Sequence, residues 1–168
     1  MASLSLSFRE AFNEESADEF PVILIEITPA GSDVTHFICS EPAQRLSADP
    51  LKYGIVHNGI EYGWVMMAAA WPDDREGAPP STSLVFANVV ENMAATVRGV
   101  TPGTQADVVL KMVLSSAPDD VEESYVLTAT GSTYNAQQVS LSVSREPIER
   151  EPWPAFRMTK SRFPGLFR

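Results

Sequence analysis

Residues 20–29 read FPVILIEITP, and the architecture is built outward from them. The run is rich in β-branched residues and bounded by prolines, which predicts a strand. Its apolar side chains are nearly continuous, so both faces of that strand should be covered. Ala30-Gly31-Ser32-Asp33 then reads as a turn, and VTHFICS (Val34 to Ser40) as the returning strand. Together they predict a hairpin with a four-residue loop.

Upstream, LSFREAFNEE (Leu6 to Glu15) predicts a short helix. Phe8 and Phe12 share a face, with Leu4 one turn earlier. Ser7 reads as the N-cap, with Glu10 three residues on as in a capping box. Downstream, Asn58-Gly59 is a type I′ hairpin signal between GIVH and IEYGWVMMAAAW. Leu46 to Pro50 reads as irregular, and PDDREGAPP (72–80) as a surface loop.

In STSLVFANV (Ser81 to Val89), Leu84 and Phe86 face one way and Ser83, Val85 and Ala87 the other. Asn88 would cap a helix over Val89 to Arg98, stopped by Gly99. Ala106 to Ala117 reads as a strand covered on both faces, and Pro118-Asp119-Asp120 as a turn. Val126 to Thr130 is another strand. Val139, Leu141 and Val143 alternate with serines in the last. The sum is a mainly β fold: an antiparallel β-sandwich or barrel with two short helices and an extended C-terminal arm. Residues 1–145 form the β-rich domain and 146–168 the arm.

Charge divides at the same place. Residues 1–144 carry 19 acidic and 6 basic residues, a net of −13, whereas 145–168 carry 3 and 6, a net of +3. The overall −10 argues against wrapping nucleic acid or docking on anionic membrane. Cys39 is the single cysteine, so no disulfide or multi-cysteine metal site forms within the chain. MASLSLSFREAF lacks the basic and apolar regions of a signal peptide, and WVMMAAAW (64–71) is far too short to span a bilayer, so an intracellular product is expected.

No catalytic, cofactor-binding or metal-binding set emerges. His36 and Cys39 are three apart and point to opposite faces of a flat strand, which separates them from any shared site with His57. The paired carboxylates Asp73-Asp74, Asp119-Asp120, Glu122-Glu123 and Glu14-Glu15 sit at turns and element edges, where solvated charge is the ordinary reading. Trp64, Met66, Met67 and Trp71 suit a core, a subunit interface or a pocket. The arm, PWPAFRMTKSRFPGLFR, has too many prolines for a regular helix and too many apolar side chains for a solvated tail. Trp153, Phe156, Arg157, Arg162, Phe163, Pro164, Leu166 and Phe167 are therefore its candidate interface residues, docking on the chain's own sheet edge or on a neighbouring subunit.

FREAFNEESADEFPVILIEIT, LSADPLKYGIVHNGIEYGWVMMAAAWPDD and the closing SRFPGLF together resemble a family of uncharacterised tail proteins of long-tailed bacteriophages and prophages. The matching residues include Asp49, Pro50, Tyr53 and Gly54 of a D-P-x-x-Y-G segment, and Pro72, Asp73 and Asp74 of a P-D-D turn. The resemblance implies a structural tail-tip or baseplate subunit, similar in role to distal tail proteins or minor tail protein L of lambda-like phages. It implies a homo-oligomeric ring, trimer or hexamer, linking the tail tube to the hub and meeting the tape measure. It also implies a virion location after synthesis in the bacterial cytoplasm, with no enzyme activity. Protein L-like relatives carry a C-terminal cysteine cluster for an iron–sulfur centre; this chain has no cysteine after Cys39, so no cofactor is carried over. The alternative is a carbohydrate- or receptor-binding module of the tail tip, with Tyr62, Trp64 and Trp71 as stacking platforms.

Overall fold

The computed structural model describes residues 4–13, 19–31, 33–72, 80–87, 105–135, 137–145 and 161–166. Among the described residues, helix α1 spans Leu6–Asn13 and is followed by ten strands. These are β1 (Pro21–Pro29), β2 (His36–Cys39), β3 (Gln44–Ala48), β4 (Leu51–His57), β5 (Ile60–Trp64), β6 (Met67–Ala69), β7 (Ser81–Ala87), β8 (Ala106–Leu114), β9 (Val121–Tyr134) and β10 (Gln138–Ser144). They make one sheet in the order β3-β4-β5-β2-β1-β8-β9-β10-β7-β6. The expected antiparallel pattern holds except between β5 and β2, which run parallel through Ile38 with Gly63 and Cys39 with Trp64. The fold is mainly β, and the sheet is not closed.

Strand β1 is central, as its apolar run predicts. Val22 and Leu24 face one cluster with Cys39, Ile55, Tyr62 and Val113. Ile25 faces a second cluster with Ile38, Leu84, Phe86, Val108 and Leu127. Both faces are buried because neighbouring positions in a strand point to opposite sides and each side has its own cover. The second cluster joins strands far apart in the sheet order, so the sheet curls on itself.

The stretch 60–69 turns that curl into a shared connection. β5 lies beside β2, and the Val65 N–H donates to Cys39 O at 3.3 Å. One residue later Met66 O accepts from the Ala87 N–H at 2.9 Å, and β6 continues along β7 at the far edge. What reads as one strand after Asn58-Gly59 is thus two strands serving opposite ends of the sheet. The turn itself forms as expected: Asn58 (φ 49°) and Gly59 (φ 79°) both take the positive φ that a type I′ turn requires.

Other expectations need correction. The helix starts at Leu6 as expected, but its cap is Ser5, not Ser7, two residues earlier than the capping-box reading implied: the Phe8 N–H donates to Ser5 Oγ at 3.2 Å. Glu122 on β9 anchors Ser5 in turn, accepting from its backbone N–H at 2.8 Å. Leu46–Pro50 is not irregular throughout, because Gln44–Ala48 forms edge strand β3 by pairing with β4; only Asp49 and Pro50 turn. The Val126–Thr130 strand extends to Val121–Tyr134, since β8 and β10 hold its two ends. The helix expected over Val89 to Arg98 lies outside the described residues.

Candidate functional site

In the middle of two mostly apolar strands stand Glu26 of β1 and Lys111 of β8, with Asp107 the other charge of β8, near its start. The β1–β8 register pairs Leu24 with Lys111 and Glu26 with Val109, which sets the two charges diagonally on one face. Lys111 Nζ donates to Glu26 Oε1 at 2.6 Å. Tyr62 Oη, arriving from β5, donates to the same oxygen at 2.6 Å. Burial opposes the charge on Glu26, but the hydrogen bonds from Lys111 and Tyr62 and the nearby positive charge outweigh it and hold the carboxyl below its ordinary value. The Tyr62 phenol shifts upward, through burial first and then through donation to Glu26.

The Tyr62 ring is fully buried and edge-on to Phe37, with centroids 5.2 Å apart, and to His57, at 5.8 Å. His57 is buried too. Its Nδ1 lies 2.7 Å from Pro118 O. A carbonyl can only accept, so Nδ1 carries the proton, and Nε2 is left to accept from Asn58 Nδ2 at 3.2 Å. The Asn58 N–H donates to Asp119 Oδ1 at 2.6 Å. The β4–β5 turn is therefore clipped to the β8–β9 turn, and Asp119, exposed as a turn carboxylate is expected to be, also serves as a structural acceptor. Each of these groups is engaged with another, and together they clamp the hairpin to β1, β8 and the β8–β9 turn.

Beyond the clamp, the β4–β5 hairpin has an apolar face that its neighbours only partly cover. Ile55 and Tyr62 are paired and buried at its middle. By strand alternation Leu51, Tyr53, Ile60 and Trp64 share that face, and all four are exposed. Gly54, in the same strand, is required by close approach: a β-carbon there would fall 1.9 Å from Tyr62 O.

A second feature lies where the curled sheet stays open. A groove of about 640 Å³ runs beside β6, between Met67–Trp71 and Ser83 and Val85 of β7 on one side and Pro21, Ile23, Ser40, Glu41 and Met112 on the other. Trp71 is fixed at its wall, donating from Nε1 to Glu123 Oε2 at 2.8 Å and meeting the Tyr125 ring edge-on at 5.4 Å.

The aromatic set Tyr62, Trp64 and Trp71 is not brought together as a stacking platform. Tyr62 is buried, Trp64 is on the hairpin face with its Nε1 donating to Ser40 O at 3.2 Å, and Trp71 is in the groove. Cys39 is buried, and its thiol is pushed up to about 12 by burial. Among the described residues, no three His, Cys, Asp or Glu side chains converge as a metal site, and no helix is long and apolar enough to cross a membrane. Of the arm's candidate residues, Trp153, Phe156, Arg157 and Phe167 lie outside the described residues. Arg162, Phe163 and Pro164 are exposed, in a turn followed by a single 3-10 turn over Pro164–Leu166. Where it is described, the arm turns rather than running extended.

The clamp was missed by reading motifs. Its signal was present nonetheless: one isolated charge of each sign in two strands whose other central residues are apolar. No protein-family model and no curated protein matches the chain.

Proposed function

We propose that the protein is a structural subunit of a bacteriophage tail tip or baseplate, forming an oligomeric ring that links the tail tube to the hub. One structural observation supports this reading alongside the resemblance: the exposed apolar side chains Leu51, Tyr53, Ile60 and Trp64 on the clamped hairpin, to either side of its buried Ile55–Tyr62 pair. Exposed apolar patches on a rigid body mark association surfaces. The clamp of Glu26, Lys111, Tyr62 and His57 holds those side chains in place, as a ring contact demands. The curled sheet is read here as an open barrel, a body stiff enough for a ring wall.

The test has two parts. Light scattering on the full-length chain, alone and mixed with tail-tube and hub proteins, should give a ring-sized mass, and antibody against the chain should label the tip of purified tails. A tail particle that carries no copies of the chain overturns the reading. The receptor-binding alternative keeps less support, because its stacking set loses Tyr62 to the core.

A further inference from the structure

We infer that Phe163 of one copy docks in the groove beside β6 of a second copy, giving a head-to-tail contact between subunits. This rests on the tail-tip reading for its biological setting, but it stands on three observations of its own.

The first is an apolar side chain that is only partly covered. Phe163 is 44% exposed, and Ser161–Gly165 are exposed throughout. The part of the ring open to water is most stable once another surface covers it. The second is the receptor. The groove opens onto one of the two cores through Ile23, Met67 and Trp71, with Val85 and Met112 as further apolar lining. At about 640 Å³ it has ample room for a phenyl ring. The third is charge. Glu41 lines the groove, the body carries a net of −13 and residues 145–168 a net of +3, so the segment that brings Phe163 is attracted to the body of any copy.

Knob and groove are different surfaces of the same chain. Their contact is therefore heterologous, and repeated it yields a closed ring or an open row rather than a two-fold dimer. That property makes the contact testable with complementary losses. Ala68 and Ser83 line the groove and are exposed, so Ala68→Arg or Ser83→Arg blocks it without entering either core. Phe163→Glu removes the knob.

The experiment is light scattering on the full-length chain and these variants, with circular dichroism confirming that each is folded. Expected: the wild type self-associates, each variant alone associates about tenfold or more weakly, in line with the loss of one buried aromatic contact. Ala68→Arg mixed with Phe163→Glu should then form dimers that stop at two, because only one intact knob and one intact groove remain in the mixture. Should Ala68→Arg misfold, Ser83→Arg takes its place in the same mixture. A variant that assembles like the wild type overturns the inference, as does a monomeric wild type, or a mixture that stays monomeric. A disulfide formed within one chain by Phe163→Cys and Ser83→Cys would also overturn it, showing that the knob occupies its own groove. Tail tips that keep a normal ring with Phe163→Glu overturn this contact alone, whereas tips without the wild-type chain overturn the tail-tip reading alone.

Discussion

Tyr62 Oη lies 2.6 Å from Glu26 Oε1, although 36 residues separate them in the chain. The contact fixes the β4–β5 hairpin against β1, and Lys111 completes it from the other side. Tyr62→Phe keeps the ring and its edge contacts but removes the donor. The expected loss is about 1–2 kcal/mol, read from urea unfolding. An unchanged midpoint would show that the ring alone holds the hairpin.

The same carboxyl gives a pH dependence with a definite sign. Glu26 is held below its ordinary value of 4.5 in the folded chain, so its contribution is fully present above that pH. It is lost as pH falls through the lower, folded value. Glu26→Gln should therefore lose stability at neutral pH and show a shallower decline as pH falls below the ordinary carboxyl value of 4.5. Thermal melts of both proteins across that range check it; parallel declines would place the acid sensitivity elsewhere.

Gly54 should tolerate no side chain. In Gly54→Ala the new methyl meets the Tyr62 carbonyl, a backbone atom that cannot rotate away. The expected cost is about 1–3 kcal/mol or more, with the hairpin displaced. Gly63→Ala is the control, since nothing lies within 4 Å of a β-carbon there. Equal melting temperatures for the two variants would refute the close approach.

Cys39 should be silent in the folded chain. It is fully buried and its thiol is pushed up to about 12, so at pH 8 almost none is thiolate. A thiol reagent should label it only at the rate at which the protein unfolds. Rapid labelling without denaturant would mean that the core around Cys39 and Ile55 opens locally.

Capping separates two neighbouring serines. Ser5→Ala removes the acceptor for the Phe8 N–H, and should cost about 1 kcal/mol. Ser7→Ala should change little. The reverse order, measured by chemical denaturation, would restore the capping box that the local sequence suggested.

Local chemistry determined a good deal by itself. The β-branched run in Phe20–Pro29 specified a central strand, Asn58-Gly59 a tight turn, and the alternation of Leu84 and Phe86 a one-sided strand, because each depends only on neighbours a few residues away. The break in charge near Arg145 was equally local. Tertiary structure decided the rest. Gln44–Ala48 became a strand through its partner β4, and Ile60–Ala69 was divided because its halves bond to β2 and β7. Ser5 rather than Ser7 became the cap, and Glu122, 117 residues away, holds it there. Tyr62 was buried, and Glu26, Lys111, His57 and Asp119 were gathered into a clamp, because strand register sets which distant side chains share a face, and register depends on the whole sheet.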